Sequence, residues 1–403
     1  MEQVLSGALL ALKLVSLYFL IVALFALKKP KPIARVKPKT KFACVIAARN
    51  EERVIGQLVE SLLAQSYPRE LFDIYVLPNN CTDHTALAAI RAGANVLMPR
   101  GEIRCKGDAL HEAFETLLAK DHDAFCVFDA DNFVEENFLS RMNDAFLAGA
   151  KAAKGAMRVK NPEDGALCGC YGLYFTCFDF FFSRARMNCG LSSKLVGTGF
   201  AVHRSVLERL GGWNSVTIAE DAELAAMLAE LGERVWFVPE AVTYDEAPVS
   251  IKVSLRQRRR WSSGVMDVAQ ERGRQLFFGI FRSGGVKALD MLLMLLQPYV
   301  QAAGFFLTSA VLLSQPDSSQ ALTLLPLSLL AGFLGMAAFA RVLTAIQGKK
   351  ADYRVIFLFP LFMASWLPLN LLSLVCRTRS WQQIEHGKKA DLPAVCVRAH
   401  ASF

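Results

Sequence analysis

The chain contains four long runs of apolar residues, one near its N-terminus and three towards its C-terminus, with a more polar middle between them. Residues 4–27 are apolar apart from Lys13 and a few serines, and the runs 291–313, 321–340 and 355–375 follow towards the other end. A helix needs about 20 consecutive apolar residues to cross a bilayer core. The pattern therefore predicts one N-terminal transmembrane helix and about three C-terminal ones.

Between these ends, short apolar runs alternate with amphipathic stretches. The runs 42–48, 72–78 and 124–130 are almost wholly apolar, which is typical of buried strands. The segments VIGQLVESLLAQ and TALAAIRAG carry apolar residues at helical spacing. Alternating strands and helices predict a largely parallel sheet with crossover helices, and such sheets bind ligands at the carboxyl ends of their strands.

Two segments combine apolar or aromatic residues with basic ones. Residues 165–190 are rich in aromatics and end in Arg184 and Arg186, and residues 250–282 carry more charge. We expect amphipathic helices that lie in the membrane interface. For residues 165–190, a buried core helix is the alternative.

The basic charge is concentrated in one place. The 403 residues carry a net charge of +8, and residues 28–41 contribute seven lysines and arginines and no acid. Such local basicity argues against a nucleic-acid-binding protein. This segment should stay cytoplasmic, which leaves the N-terminus outside. The apolar run before it begins near Glu2 rather than a basic region, and it is too long for a cleavable signal peptide.

Composition supports a membrane protein that faces a reducing compartment. Hydrophobic residues make up 53% of the chain, and the mean hydropathy is +0.29. The ten cysteines form no CxxC pair, so neither a disulfide framework nor a zinc site is expected. Scattered free cysteines suit a cytosolic domain.

The C-terminal charges contradict a simple topology. Three spans would place residues 349–354 inside, as expected, but would place the basic tail after residue 376 outside. Either the tail is an exception, or the last apolar run, which contains Pro360 and Pro368, is re-entrant. Gln297 and Gln301 within an apolar run indicate contact with protein or water rather than lipid alone.

Polar segments follow the first two predicted strands. AARNEE (47–52) lies between a strand and a helix, where a helix N-terminus favours phosphate. NNCTDHT (79–85) could form a nucleoside pocket. Each is also compatible with a plain turn and helix cap.

Two pairs of acidic residues are candidates for metal binding or acid–base catalysis. The segment FDADN places Asp129 and Asp131 at the end of a buried strand, where both side chains point the same way. Two such carboxylates repel each other unless a cation neutralises their charge. Mg²⁺ is commonly coordinated by one or two carboxylates together with substrate phosphates. A solvated turn is the alternative. The segment AEDAE places Glu220 and Asp221 at a helix start, where they are either caps or a general base.

A run of arginines ends in a tryptophan. On a helix, Gln257, Arg260 and Trp261 share one face, which offers a forked cation for a diphosphate and a flat platform for a sugar. Arg258 and Arg259 project elsewhere, where we expect anionic lipid headgroups or acids of the sheet.

In order and spacing, these motifs resemble those of family 2 glycosyltransferases, and the membrane-embedded branch of cellulose, chitin and hyaluronan synthases in particular. The strand-end turn, NxCTD, DxD, ED and QxxRW lie between one N-terminal span and a cluster of C-terminal spans, so the resemblance covers residues 8–376. GTGFAVHR (197–204) resembles the acceptor-site segment of the family, and GEIRCKGDAL (101–110) resembles its Lys-Gly segment.

The resemblance implies a GT-A-type, mainly parallel α/β domain in the cytosol, inserted between transmembrane helices. It implies that Asp221 is the catalytic base and that Asp129 and Asp131 bind Mg²⁺ or Mn²⁺. It also implies roles for further residues on either side of the reaction. On the donor side these are Glu51, Asn79, Asp83, Lys106, Asp129 and Arg260; on the acceptor side they are Gly197, Thr198, Gly199, Glu220, Gln257 and Trp261.

The predicted organisation has six parts. They are an N-terminal transmembrane helix (1–27), a basic linker (28–41), the glycosyltransferase domain (42–245), interface helices with the QxxRW motif (246–284), a C-terminal transmembrane region (285–376) and a tail (377–403).

One position departs from the family pattern. The family commonly carries an acid that contacts uracil where this chain has Asn79 or Asn80. An asparagine can still hydrogen-bond a base edge through its C=O and NH₂ groups. We therefore expect a nucleotide-sugar donor, with a UDP-sugar as the first choice.

We expect an inverting β-glycosyltransferase of the bacterial inner membrane that extends a polysaccharide and passes it through its own spans. The alternative is a single addition to a membrane lipid, because ceramide-type glucosyltransferases carry a similar RW motif. The small number of spans would leave only a narrow pore for the polymer, or would require a partner subunit or a second copy of the chain to complete the pore. A scaffold or transporter without activity would be expected to have lost the two pairs of acids, which this chain retains. Nucleic acid is not an expected partner, because the basic runs flank membrane segments.

Overall fold

The computed structural model describes residues 2–314 and 318–378, so the predicted tail lies outside the described residues from position 379 onwards. The strands are β1 (Phe42–Ala48), β2 (Phe72–Pro78), β3 (Asn95–Val96), β4 (Ala124–Asp129), β5 (Phe133–Val134), β6 (Ala152–Val159), β7 (Phe200–His203) and β8 (Val235–Asp245). The α-helices are α1 (Glu2–Leu24), α2 (Ile55–Leu63), α3 (Thr85–Arg91), α4 (Lys106–Leu117), α5 (Phe138–Leu147), α6 (Ala166–Cys177), α7 (Ala185–Cys189), α8 (Arg204–Leu210), α9 (Glu220–Glu230), α10 (Ile251–Ile280), α11 (Gly285–Ser314), α12 (Ser318–Ile346), α13 (Tyr353–Ala364) and α14 (Trp366–Val375).

The strands form one mixed sheet in the order β3-β2-β1-β4-β7-β6-β8-β5. β1 is parallel to β2 and β4, and β6 is parallel to β8, whereas β7 runs antiparallel to β4 and β6. β1 lies inside the sheet and is covered on both faces, which is why its sequence FACVIAA is apolar throughout. The predicted α/β fold is confirmed, with antiparallel pairing confined to the half of the sheet beyond β4.

One edge of the sheet collects the carboxyl ends of neighbouring parallel strands. Ala48 at the end of β1 pairs with Pro78 at the end of β2, and Ala47 pairs with Asp129 at the end of β4. Because β7 runs in the opposite direction, the residues that precede it reach the same edge, and Gly199 N donates to the carbonyl oxygen of Val127 at 3.0 Å. The polar segments after β1, β2 and β4 and before β7 therefore meet.

Helices cover both faces of this sheet. Val45 and Val127 belong to one hydrophobic core with residues of α4, α9, α10 and α11, and Ile46 and Phe128 belong to the opposite core with residues of α2, α3 and α5. α10 is a single 30-residue helix where the sequence predicted several interface helices, and it contacts α9, α11 and α14. The helix that carries QxxRW is therefore attached both to the α/β domain and to the C-terminal helices.

Five segments of the described chain are long and apolar enough to cross a bilayer: Gly7–Leu27, Ala166–Cys189, Gly285–Val311, Thr323–Ile346 and Tyr353–Val375. Four of them correspond to the predicted spans. The remaining one, expected in the membrane interface, is helical throughout, with a π-helical stretch between α6 and α7. It is partly buried against β6, α12 and α13, so it combines features of the interface helix and of the buried alternative.

The last candidate span is broken at Ser365, between α13 and α14. Pro368 has no N–H group to donate to the carbonyl oxygen of Ala364, so the helical hydrogen bond at this turn cannot form. Pro360, in contrast, lies inside α13 without ending it. Of the two prolines that were expected to break this segment, only Pro368 lies next to a break.

A buried ion pair joins three of the candidate spans. Arg186 in α7 donates from Nε and Nη2 to the two carboxylate oxygens of Asp290 in α11, at 2.9 and 3.1 Å. Tyr18 in α1 donates to Asp290 Oδ1 at 2.9 Å. Arg186 and Asp290 are 1% and 0% exposed, so each charge depends on the other and on these bidentate hydrogen bonds.

We expect Asp290→Ala to lower the free energy of unfolding by about 3–5 kcal/mol, because it leaves the buried Arg186 without a counter-charge. Thermal unfolding in detergent, followed by circular dichroism, measures the loss. The control is the double variant Arg186→Met with Asp290→Leu, which removes both charges and should recover most of the lost stability. Equal losses in the single and double variants would show that packing at this position matters, not charge.

Candidate functional site

One cavity of about 660 Å³ begins at the carboxyl edge of the sheet and extends between the C-terminal helices. It is formed where the segments after β1, β2 and β4 face the first turn of α9 and one side of α10. Most of the residues that the sequence predicted for the site line this cavity. They are Glu51, Asn79, Lys106, Asp129, Asp131, Gly197, Thr198, Glu220, Asp221, Gln257, Arg260 and Trp261.

Two residues expected in the site, Asp83 and Gly199, do not line the cavity. The carboxylate of Asp83 accepts hydrogen bonds from the backbone N–H groups of Glu52 at 3.1 Å and Thr85 at 3.0 Å. Gly199 has a φ of +65°, and a Cβ at this position would lie 2.6 Å from Thr243 Oγ1. Both residues shape the turns beside the cavity, and their contact with a ligand stays a prediction.

Carboxylates are concentrated at the sheet end of the cavity. Lys106, the first residue of α4, donates from Nζ to Asp129 Oδ1 at 2.5 Å. Asn132 donates to Asp245 Oδ1 at 3.1 Å. Burial, followed by the nearby Asp131 and Asp129, raises the pKa of Asp245 well above its usual range. Asp245 was not singled out from the sequence, and it adds a third carboxyl to the predicted pair.

This excess of negative charge fits a divalent cation that arrives with a diphosphate. Among residues 2–314 and 318–378, no three side chains of His, Cys, Asp or Glu converge as a finished metal site. Mg²⁺ commonly uses one or two carboxylates and completes its shell with substrate phosphates and water. Asp129 and Asp131 supply such a pair at the carboxyl end of β4.

Glu220 and Asp221 begin α9 directly after its N-cap residue, Ala219, whose methyl side chain cannot accept a hydrogen bond. Glu223 Oε2 accepts hydrogen bonds from the backbone N–H groups of Val216 and Thr217 at 2.9 and 2.8 Å. Both N–H groups precede the N-cap, so Glu223 ties the loop before α9 to the helix and does not cap it. Glu220 and Asp221 line the cavity instead.

Both acids of this pair are perturbed by their surroundings. Burial is the largest cause that raises the pKa of Glu220, to about 7, while Lys106, 3.4 Å away, opposes the shift. Burial also raises the pKa of Asp221, and Lys194 is the main opposing influence. The pKa of Lys106 is raised because Asp129 and Glu220 outweigh its burial, which acts in the opposite direction. Carboxyls with raised pKa values in a cavity are suited to accept a proton from a hydroxyl group.

The predicted face of α10 lines the opposite side of the cavity with Gln257, Arg260 and Trp261. The ring of Trp261 is stacked on Trp366 of α14, with centroids 6.4 Å apart and an interplanar angle of 21°. Tyr171 in α6 donates from its hydroxyl to Gln257 Oε1 at 3.2 Å. These contacts hold the indole as a flat wall where α6, α10 and α14 meet.

The expectation that Arg258 contacts lipid headgroups or acids of the sheet is wrong. Arg258 is 2% exposed and donates from Nη1 to the carbonyl oxygen of Phe362 at 2.9 Å and to Ser365 Oγ at 2.7 Å. Arg259 donates to the carbonyl oxygen of Cys376 at 2.7 Å. Helix ends leave carbonyl groups unpaired, and the many donors of guanidinium satisfy them at the ends of α13 and α14.

Amide side chains continue the cavity between the C-terminal helices. Gln297 and Gln301 of α11 and Asn370 of α14 line it. Asn370 Nδ2 donates to Gln301 Oε1 at 2.7 Å, and Ser262 Oγ in α10 donates to Asn370 Oδ1 at 2.6 Å. The prediction that Gln297 and Gln301 face protein or water is confirmed.

Four cations that line the cavity were given no role from the sequence: Arg49, Arg104, Lys154 and Lys194. Arg49 belongs to the AARNEE segment, so a signal was present but was not assigned to this residue. Lys194 lies outside every motif, in the segment before β7, and only the tertiary structure brings it into the cavity.

Comparison with known proteins supports the predicted family. The profile described as "Glycosyltransferase like family 2" matches residues 38–264. The probable glycosyltransferase YdaM of Bacillus subtilis is 31% identical over 247 residues, which cover 58% of this chain and 57% of that protein. The beta-monoglucosyldiacylglycerol synthase of Synechocystis is 29% identical over 351 residues, 79% of this chain and 66% of that protein. The poly-beta-1,6-N-acetyl-D-glucosamine synthase of Staphylococcus aureus is 23% identical over 266 residues, 62% and 60% of the two chains.

These matches leave part of each relative uncovered, since the chain spans about three fifths to two thirds of their lengths. A solved structure is similar over nearly the whole chain. It is a mannosyltransferase from Pyrobaculum calidifontis in complex with GDP-Man and Mn²⁺, with a TM-score of 0.59 and 19% identity, and the similarity covers 91% of this chain and 99% of that one. At this identity the similarity shows a shared GT-A-like fold.

Proposed function

Because the chain belongs to glycosyltransferase family 2, we propose that it transfers a sugar from a nucleotide-sugar to a hydroxyl group of an acceptor held at the membrane. One observation carries this proposal. A single cavity joins the acids after β4, the acids that begin α9 and the helices α11, α13 and α14 outside the α/β domain. A donor and a membrane-bound acceptor can therefore meet at Asp221.

The chemistry assigned to this cavity is an inverting displacement. Asp221 takes the proton of the acceptor hydroxyl while its oxygen bonds to the anomeric carbon of the donor sugar. The bond from that carbon to the phosphate oxygen breaks, and its electron pair leaves with the nucleoside diphosphate. Arg260 contacts the departing diphosphate through its forked donors.

The donor side consists of residues at the carboxyl edge of the sheet. Glu51 and Asn79 line the cavity at the ends of β1 and β2, where we place the nucleoside. Asp129 and Asp131 would hold Mg²⁺ or Mn²⁺, which would neutralise the charge of the diphosphate. The complex of the Pyrobaculum calidifontis mannosyltransferase with GDP-Man and Mn²⁺ supports this assignment by its fold alone.

We propose a lipid acceptor as the first choice. The helical end of the cavity combines apolar walls from Met294, Met363 and Trp366 with the amides of Gln301 and Asn370. Such a lining suits a hydroxylated headgroup that continues into an apolar tail. The match to a beta-monoglucosyldiacylglycerol synthase, which covers 79% of this chain, supports the same choice.

Extension of a polysaccharide is the second candidate. The stacked rings of Trp261 and Trp366 offer a flat platform on which a terminal sugar can rest. The match to a poly-beta-1,6-N-acetyl-D-glucosamine synthase supports this candidate. For either acceptor, we propose an integral membrane protein of the bacterial inner membrane with the α/β domain on the cytoplasmic side, in keeping with the basic linker and the five candidate spans.

The purified full chain in nanodiscs that contain diacylglycerol tests both candidates. It is offered labelled UDP-glucose, UDP-N-acetylglucosamine, UDP-galactose, UDP-glucuronate and GDP-mannose in turn, with Mg²⁺ or Mn²⁺. We expect nucleotide release and a labelled product that extracts into organic solvent. A labelled product of high molecular weight in the aqueous phase would establish the polysaccharide candidate. No nucleotide release with any donor would contradict the proposed function.

A further inference from the structure

The helical end of the cavity contains two glutamines and an asparagine that lie inside candidate membrane spans. Gln297 and Gln301 belong to the span Gly285–Val311, and Asn370 belongs to the span Tyr353–Val375. All three line the cavity. A polar side chain within a bilayer is costly unless it is hydrogen-bonded, so its position marks contact with protein, water or substrate. The hydrogen bonds of these amides therefore indicate what can bind beside them.

Hydrogen bonds within the protein use much of this polar capacity. Ser262 Oγ in α10 donates to Asn370 Oδ1 at 2.6 Å, and Asn370 Nδ2 donates to Gln301 Oε1 at 2.7 Å. Ser262 and Asn370 are 3% and 4% exposed, so this chain of hydrogen bonds is buried as far as Gln301. It engages the carbonyl oxygen of Gln301 and leaves the NH₂ group of that side chain for a ligand.

Gln297 provides a second NH₂ group on the same helix. It lies four positions before Gln301 in α11, and side chains at this spacing share one face with Cβ atoms about 5–6 Å apart. In the described part of the chain, no hydrogen bond engages the side-chain amide of Gln297. α11 therefore offers two amide donors, one helical turn apart, to a ligand in the cavity.

The chain of hydrogen bonds begins beside the tryptophan platform. Trp366 and Asn370 are four positions apart in α14, so they lie on one face of that helix. Trp366 is stacked on Trp261, and Trp261 directly precedes Ser262 in α10. The polar groups therefore continue from the platform towards α11, where an acceptor that extends beyond its reacting hydroxyl would meet them.

We propose that Gln297 and Gln301 bind the two ester carbonyls of a diacyl lipid acceptor. The proposal rests on the proposed function and on its first choice of acceptor. In a diacylglycerol the two ester groups lie on neighbouring carbons beside the free hydroxyl, and their carbonyl oxygens accept hydrogen bonds without donating any, which matches two NH₂ groups. A sugar hydroxyl both donates and accepts, so a pair of donors gives no preference for a glycan. Met294 and Met363 provide apolar walls for the acyl chains.

The test compares diacylglycerol with dialkylglycerol, which has the same free hydroxyl and chain length but ether links in place of the esters. The full chain is placed in nanodiscs of diether phosphatidylcholine, so that the acceptor alone supplies ester carbonyls, and the donor that supports transfer is kept saturating. We expect the wild type to have the lower KM for the diacyl lipid.

Gln297→Leu and Gln301→Leu should each raise the KM for diacylglycerol by about 2- to 10-fold, the effect of one lost hydrogen bond. The KM for dialkylglycerol should stay within about twofold of wild type, because that lipid has no carbonyl to lose. Turnover at saturation should change little with either lipid, since the contact is the same before and during the transfer.

Gln275→Leu is the matched control, because Gln275 is exposed in α10 and does not line the cavity. The two test variants differ in their effect on the protein. Gln301→Leu leaves Asn370 Nδ2 without its acceptor, whereas Gln297→Leu breaks no hydrogen bond among the described residues. Gln297→Leu therefore decides the matter if Gln301→Leu does not fold.

Infrared spectra of diacylglycerol with isotope-labelled ester carbonyls provide a readout that does not depend on activity. Binding to the wild type should move the C=O stretch to lower frequency, as expected for a hydrogen-bonded carbonyl, and Gln297→Leu should reverse part of this shift. An unshifted carbonyl in the bound lipid would contradict the proposal.

Three kinetic outcomes also overturn the proposal. They are equal KM values for the two lipids in the wild type, an equal rise for both lipids in the variants, and a polysaccharide product that forms without any lipid acceptor. No nucleotide release with any donor is recognised before variants are compared. It would reject the proposed function, whereas the infrared shift would still report whether the glutamines contact the esters.

Discussion

Asp221→Asn should lower sugar transfer by about 10²- to 10⁴-fold, the usual contribution of a general base, and leave nucleotide binding within about twofold of wild type. The change keeps the size of the side chain and its place in the first turn of α9, but an amide cannot take up the hydroxyl proton. Single-turnover transfer with saturating donor measures the first quantity, and titration calorimetry with the nucleoside diphosphate measures the second.

Glu220→Gln is the matched comparison for this prediction, because Glu220 is the neighbouring acid and also lines the cavity. Its ion pair with Lys106 places it towards the donor side, so a smaller loss of transfer is expected, together with a change in nucleotide binding. A larger loss of transfer in Glu220→Gln than in Asp221→Asn would move the role of the base to Glu220. Normal transfer in Asp221→Asn would rule out the assignment of Asp221.

Asp131→Asn should remove the part of nucleotide binding that depends on Mn²⁺ or Mg²⁺ and lower turnover by about 10²- to 10³-fold, the usual result of losing one contact that stabilises developing charge. Asp131 lies two positions after Asp129 at the carboxyl end of β4, and both side chains line the cavity. Electron paramagnetic resonance of Mn²⁺, with and without the nucleoside diphosphate, reports binding independently of activity.

Asp245→Asn distinguishes the predicted pair from the third carboxyl. Asp245 is already hydrogen-bonded to Asn132, so its loss should weaken Mn²⁺ binding less than the loss of Asp131. If Asp131→Asn binds the Mn²⁺–nucleotide complex as tightly as wild type does, the acid pair after β4 is not the metal site.

The α/β part of the fold follows closely from local sequence. The runs FACVIAA, FDIYVLP and AFCVFDA became β1, β2 and β4 because residues covered on both faces of a sheet must be apolar throughout. Neighbouring parallel strands then place their carboxyl ends at one edge. The sequence therefore already predicts that the acids at the end of β4 and the turns after β1 and β2 form one site.

The helical part was less predictable. Residues 166–189 contact both the sheet and the C-terminal helices, and an aromatic helix with two arginines has the same local pattern whether it meets lipid or protein. The pattern around Arg258 predicted contact with lipid headgroups or acids of the sheet, yet the residue binds a carbonyl oxygen near the end of α13. Which partner an arginine meets depends on helices more than a hundred positions away, and periodicity carries no information about them.

The sequence by itself determined the apolar ends that can span a membrane, the α/β middle and the family, because each depends on apolar runs, alternation or short motifs. Most of the site residues that it predicted also line the cavity. Tertiary structure alone decided that Glu223 binds the loop before α9, that Asp245 lies near the acid pair, and that Lys194 lines the same cavity as Asp221. These features depend on side chains from separate elements that converge in space. Their electrostatic influence is set by distance and burial, and neither can be obtained from position along the chain.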